Sequence, residues 1–459
     1  MLRSWRLFLF IGVLVLVLLG PLLYSIFRTK DDKELLRPVK LEWWRTSDTP
    51  ADLTAIIGAY QASHPNVSVN VKVLRPEEFE LALLNGWAQD AGPDIVSLPV
   101  SNWRSRINNL LPAPATVQVP FVTYEGIRNE QLVHKNTVRM PTVNDIGNIF
   151  VETVKVDSIV NGKIYGLPLA IDTIVMYYNR DLLNRGNIPQ PATDWTTFKD
   201  HVSSLALVDR SGRFIQYGTA LGETNNLPLA FELLSILMMQ NGTLMINDTN
   251  SRAMFDQPIT GSGQDYLPGE DALRFFSDFS NPTKEVYTWS EDEPKPLDAF
   301  IDGRLVYYFG YLSDLKIIRN QAPRLNFSIS TFPQIADTTQ QVYYADYNIE
   351  AVAAKTKFPN EAWDLVNFAT TRPDEARKYL KATGRTTALR NLVEEQKADF
   401  DLIAAASQLL PARTWYRGYD AAAARQAVLA MIRAANSGAN LPDALILAAK
   451  QVTQTLVPR

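Results

Sequence analysis

The 459-residue chain contains no cysteine, which excludes disulfides, thiolate catalysis and Cys-ligated metal and leaves the redox compartment open. Histidine is scarce. His64, His134 and His201 lie far apart, so neither a zinc site nor a His-based triad is expected, and no metal or cofactor is assigned. Positive charge is not in excess: 45 Lys and Arg face 49 Asp and Glu, so no basic footprint points to nucleic acid. A phosphate-cradling GxxxxGK[ST] is missing, and the GSG at 261–263 lacks the strand and helix such a loop needs. DTNSRAMFD lacks the glycine and final glutamate of a calcium loop. No internal repeat or low-complexity tract is present.

Aromatic residues, in contrast, are plentiful, with 9 Trp, 18 Tyr and 20 Phe, enough for a large core and a ligand surface. The length exceeds one usual core and implies two lobes. An uncharged apolar run from Leu7 to Phe27 is long enough to span a bilayer. It reads as an uncleaved signal-anchor within 1–30, cleavage near Ser25 being the alternative, with a charged linker at 31–38. Arg3 and Arg6 precede the run and Arg28, Lys30, Lys33, Arg37 and Lys40 follow it. Counted by the positive-inside rule, these charges would keep the body in the cytoplasm, so sequence leaves topology open.

Beyond the linker the pattern becomes regular. VKLEWW (39–44) reads as a strand, and Asp48 or Thr49 can cap a helix with Pro50 first and Leu53, Ile56, Ile57 and Tyr60 on one face. VSVNVKVL (67–74) predicts a strand with one strongly apolar face, Pro76 opens a helix, and GPDIVSLPV (92–100) is a third strand. This alternation predicts a parallel sheet with crossover helices. Residues 112–150 show weak periodicity and are expected as irregular connections. Helices are expected at 195–207, 228–242, 359–370, 373–382, 391–407, 420–437 and 442–456, the last ones alanine-rich and closely packed.

The strand LAIDTIVMYY carries one carboxylate, Asp172, which costs free energy in an apolar strand unless paired, hydrated or used. Its wider context, GKIYGLPLAIDTIVMYYNRDLL, together with LEWWRTS, AGPDIVSLP, AFIDGRLVYYFGYLSDL, KFPNEAWDLVNFATT and TGRTTALR, occurs in the order found in one family. Over nearly all of 39–459 the chain resembles the extracellular solute-binding proteins of the maltose-receptor type, which serve sugar ABC transporters. The resemblance implies an α/β, two-lobed periplasmic-binding-protein-like fold (type II) with mixed sheets flanked by helices, here preceded by one N-terminal transmembrane helix. It places 39–168 plus 302–342 in lobe 1 and 169–301 plus 343–459 in lobe 2. Crossings are expected near Pro168–Thr173, Phe300–Asp302 and Tyr343–Tyr347. A cleft between domains, beyond strand carboxyl ends, is also where parallel sheets bind ligands.

The matching positions imply ligand contacts from Asp172, from Trp44, Arg45 and Asp48 after the first strand, and from Asn102 and Trp103 after the third. Glu223, Tyr311, Tyr344, Trp415, Tyr416 and Arg417 complete the set. Three have a plainer reading: a satisfied hinge acid for Asp172, core packing for Trp44, a helix N-terminal acid for Glu223; Trp103, in the polar SNWRSR, is harder to explain as core. Rings that stack on pyranose faces beside acids that accept hydroxyls suit a carbohydrate. The expected protein is a monomeric, membrane-anchored receptor, single-pass in the cell membrane with its binding domain extracytoplasmic. It would take up a small-molecule solute, an oligosaccharide above all, and deliver it to ABC permease subunits without catalysis. The alternatives are the same fold serving a sensor or adhesion system, the same fold with a non-sugar solute, and a glycoside-active enzyme using two of Asp172, Glu223 and Asp346.

Overall fold

The computed structural model describes residues 35–127, 130–259 and 266–458. The first pattern builds what its spacing predicts: β1 (Val39–Arg45), α1 (Pro50–Ser63), β2 (Val67–Val73), α2 (Pro76–Ala88) and β3 (Ile95–Pro99). β2 and β3 both run parallel to β1, with the helices as the crossovers that parallel strands require. Thr49 precedes α1. Its N–H donates to the Asp52 carboxylate at 2.7 Å, and Pro50 sits first, where no backbone donor is needed. β2 is the sheet edge, so Val67 is buried but Val73 is exposed, and the expected apolar face is only partly covered.

Residues 112–150 depart from expectation. They hold an antiparallel hairpin of β4 (Thr116–Glu125) and β5 (Glu130–Arg139), followed by two short helices. Val117, Val119 and Val122 are its buried residues, while Pro120 and the many Thr, Gln and Asn residues mask the pattern.

β6 (Ala170–Asn179) organises the second sheet and is buried along almost its whole length. β7 (Phe214–Thr219) precedes α3 (Ala230–Gln240) and runs parallel to β8 (Leu305–Tyr311), which lies antiparallel to β6. After α4 (Asp314–Gln321), β9 (Phe327–Ser330) and β10 (Tyr343–Asp346) also pair antiparallel with β6. One residue, Tyr347, separates β10 from β11 (Asn348–Ala353), which pairs antiparallel with β3 in the first sheet. On the other crossing, Leu167 bridges Glu350 in the first sheet, and β6 begins three residues later. Thr386–Thr387 pairs with β6 after α5 (Pro359–Thr371) and α6 (Pro373–Thr383), which pack on the first lobe. The chain does not change sheet near Phe300–Asp302. Residues 302–342, expected in the first lobe, contribute β8 and β9 to the second sheet, whereas β11, expected in the second lobe, belongs to the first. The alanine-rich helices α7 (Ala421–Asn436) and α8 (Leu441–Thr455) pack together, burying Ala424, Ala427, Ala448 and Ala449.

The expected membrane span at Leu7–Phe27 and the GSG at 261–263 lie outside the described residues. Among the described residues no helix is long and apolar enough to cross a membrane. The longest, α7, has 16 residues and carries Arg425 and Arg433, short of the roughly 20 apolar residues a span requires. For the described residues the fold class is therefore corrected to the two-lobed, mixed α/β body, with no transmembrane helix among them. On the described residues, membrane anchoring, the membrane as a partner and a single-pass cell-membrane location are withdrawn with it.

Candidate functional site

Two of the three positions named after β1, Arg45 and Asp48, join a buried ionic chain. Arg45 donates to the Glu350 carboxylate at 2.8 Å and to Asp48 at 2.8 Å. Glu350 also accepts from the Trp43 indole at 2.8 Å and the Ser97 hydroxyl at 3.1 Å. Asp48 sits at φ 64° and collects the Tyr379 hydroxyl at 2.7 Å and Arg385 at 2.9 Å. Burial raises the cost of its charge, but Arg385 and Arg45 hold its carboxyl below the usual range. Burial pushes Glu350 the other way, upward, despite Arg45. Trp44 faces the opposite side of the sheet, buried near Gly86 of α2, with the Lys72 ammonium 4.2 Å from its ring centre.

The tryptophans elsewhere are spent on packing. Trp103 is fully buried, its indole N–H donating to the Asp157 carbonyl at 3.2 Å and its ring against Tyr165. Asn102, half-buried, accepts from the Ser105 hydroxyl at 3.2 Å. Trp415 is buried, donates to the Ser235 hydroxyl at 2.9 Å and stacks on Phe231. Arg417 donates to Asp157 at 3.2 Å.

Asp172 is saturated by backbone. Its carboxylate accepts the N–H groups of Thr173 at 2.9 Å, Leu312 at 3.0 Å and Ser313 at 3.2 Å. It thus ties β6 to the turn that opens α4. Burial outweighs these bonds and raises its carboxyl above the ordinary value. Glu223 is half-buried, and burial with the nearby Glu291 raises it too.

Two cavities flank the crossing strands. The larger, about 710 Å³, lies between α4 and α6 and includes Leu312 and Ser313, the partners of Asp172. The smaller, about 180 Å³, draws on both lobes: Val100 and Ser101 just past β3, Glu232 on α3, Arg425 on α7, and Tyr344 and Asp346 on β10 as its floor. Tyr416 also lines it, its hydroxyl donating to Thr455. Glu232 is clamped by Arg425 through two nitrogens at 2.5 and 3.1 Å. Asp346 is exposed to this space yet enclosed by both lobes. Burial there, together with the nearby Glu232 and Asp172, pushes its carboxyl up to about 7. Tyr311 is half-buried beside Asp346, Glu232 and Tyr344, and burial raises its phenol.

The structure therefore places Tyr344 and Tyr416 on the lining of one cavity, with Tyr311 near its acids. It leaves Trp103 and Trp415 in the core, and Arg45 and Asp48 in a buried ion chain. Glu232, Arg425 and Ser101 are not among the residues named from sequence. Asp346 enters there only as a possible enzymatic acid. The signal that could have found them is adjacency: β10 pairs Asp346 directly with Asp172, and Ser101 precedes Asn102 by one residue. Among the described residues no group of three or more His, Asp or Glu is placed to hold a metal ion.

Comparison with known proteins agrees with this architecture. The galactooligosaccharide-binding protein of Bacillus subtilis (strain 168) is 23% identical over 176 residues, 36% of this chain and 35% of that protein. The multiple sugar-binding protein of Streptococcus mutans is 24% identical over 241 residues, 52% of this chain and 54% of that one. The chain thus spans between 35% and 54% of the length of these relatives. A cyclo/maltodextrin-binding protein crystallised with maltotetraose superposes with a TM-score of 0.71 at 16% identity, over 91% of this chain and 97% of its own. The cyclic alpha-maltosyl-1,6-maltose binding protein of Arthrobacter globiformis gives 0.70 at 18% identity, over 91% and 99%. At such identities the likeness establishes the fold. A family model matches residues 55–406, and the chain belongs to the bacterial extracellular solute-binding proteins, a family of binding proteins and not of enzymes.

Proposed function

We propose that the chain captures a saccharide in the cavity between its lobes and delivers it, outside the cytoplasm, to an ABC permease. The observation that carries this reading is the floor at Tyr344–Asp346, part of a strand that passes from one sheet to the other beneath a cavity drawn from both lobes. The phenol faces of Tyr344 and Tyr416 offer C–H stacking to a pyranose, while Ser101, Glu232, Asp346 and Arg425 offer hydrogen bonds to its hydroxyls. Asp172 acts as a positioning residue that fixes α4 against β6. Relatives named for galactooligosaccharides and multiple sugars support the ligand class.

The mechanism is hinge closure about the crossing strands. Contacts from the second lobe exist only when the cleft is shut, so ligand shifts the population by its differential affinity for the closed form. The test is thermal unfolding against panels of sugars, amino acids and peptides. A true ligand at a hundredfold excess over its Kd adds roughly 2.7 kcal/mol. Stabilisation by an amino acid or peptide, and by no sugar, contradicts the proposal.

A further inference from the structure

One carboxylate at the cleft has no ion-pair partner among the described residues. Glu232 is neutralised by Arg425, and Asp172 is satisfied by three backbone N–H groups. Arg385 pairs with Asp48 at 2.9 Å, on the first-lobe side, and acts on Asp346 only through longer-range attraction. Asp346 has no ion pair among the described residues; the contact it makes is with the N–H of its neighbour Tyr347. It is nevertheless exposed on the cavity floor, directly opposite Asp172 in the strand register.

On an open surface such a carboxylate needs no partner, because water solvates it. Between two lobes water is scarce, and an uncompensated charge is costly. A ligand that brings a positive group removes that cost as the cleft shuts. Tyr344 and Tyr416 line the same space, and the ring faces of such phenols also attract cations. A neutral sugar supplies no counter-charge, so beneath it Asp346 either stays uncompensated or gives up its charge by taking a proton.

We infer that the solute is a cationic saccharide, an amino sugar whose ammonium group seats on Asp346. This rests on the saccharide reading above. The test is calorimetric titration of the purified chain with the β-1,4-linked dimer of glucosamine and with cellobiose, which has the same skeleton with hydroxyls in place of ammonium groups. The amino dimer binds about tenfold more tightly or better, the scale of one charge-assisted hydrogen bond. Asp346→Asn removes that preference, so that the two dimers then bind within a few-fold of each other. Should Asp346→Asn fail to fold, salt decides: added salt weakens the amino dimer and spares cellobiose. Tighter binding of a neutral saccharide than of its amino counterpart overturns the inference and leaves the saccharide reading standing. Response to no sugar of either kind overturns both.

Discussion

Asp157 joins the two lobes, and removing it gives a sharp forecast. Its buried carboxylate accepts four donors: the Thr153 hydroxyl at 2.9 Å, the Tyr347 hydroxyl at 2.8 Å, the Thr414 hydroxyl at 2.7 Å and Arg417 Nε at 3.2 Å. Thr153 belongs to its own short helix, Tyr347 to the crossing between β10 and β11, and Thr414 and Arg417 to the second lobe. Asp157→Ala leaves a partly buried guanidinium and three buried hydroxyls without their acceptor. Removing one side of such a buried pair costs about 3–5 kcal/mol. Asp157→Asn keeps the shape. Its amide nitrogen can face Thr153 and Tyr347, whose hydroxyls also accept, while its oxygen keeps Thr414 and Arg417. Only the charge assistance is lost, about 1–2 kcal/mol. Urea unfolding followed by tryptophan fluorescence reads both values. A loss under about 1 kcal/mol for Asp157→Ala, or equal losses for both variants, would refute this role for Asp157.

Further outcomes follow from the same contacts. Glu350→Ala removes one of the two carboxylates that hold Arg45 and leaves the buried Trp43 indole and Ser97 hydroxyl without their acceptor, which should cost about 3–5 kcal/mol in the same unfolding assay, with Glu350→Gln milder. Because the folded chain raises Asp346 to about 7, its contribution to stability is complete below the unfolded value near 3.9 and is lost as pH rises through 7. Melting curves should therefore show wild type losing ground to Asp346→Asn between pH 4 and pH 8; a constant gap contradicts this. At Gly310 a Cβ would meet the Tyr308 ring at 2.5 Å and an Asp314 oxygen at 2.6 Å, so Gly310→Ala should destabilise by about 1–3 kcal/mol. Trp103→Phe and Trp415→Phe should lower the melting point with little change in sugar affinity, since both rings are buried and neither lines the cavity; a selective loss of affinity would argue against core roles.

Much of the fold was legible because local chemistry agreed with global placement. Pro50, Pro76 and the Val67–Val73 alternation mark elements that form where the spacing puts them. The hairpin at 116–139 escaped because its partner strand, and not its own polarity, defines it. Lobe boundaries escaped for a similar reason: β8 stays beside β6 although its sequence context fits a crossing. At the site, Asp172 could be singled out as an acid in an apolar strand, but its three backbone donors come from Thr173 and from a turn about 140 residues away, which no local pattern encodes. Trp and Tyr in polar loops look alike in sequence. Only packing separates Trp103, sealed beneath the Asp157 carbonyl, from Tyr344, which faces the cavity.

The most direct test fills the small cavity. Ala422 lines it from the surface of α7, so a large ring there can occupy the space without disturbing a core contact. Ala422→Trp should leave the melting point of the ligand-free chain unchanged and weaken binding of whichever saccharide stabilises wild type by roughly a hundredfold, about 2.7 kcal/mol. Unaltered saccharide affinity in that variant would place the ligand elsewhere and contradict the account.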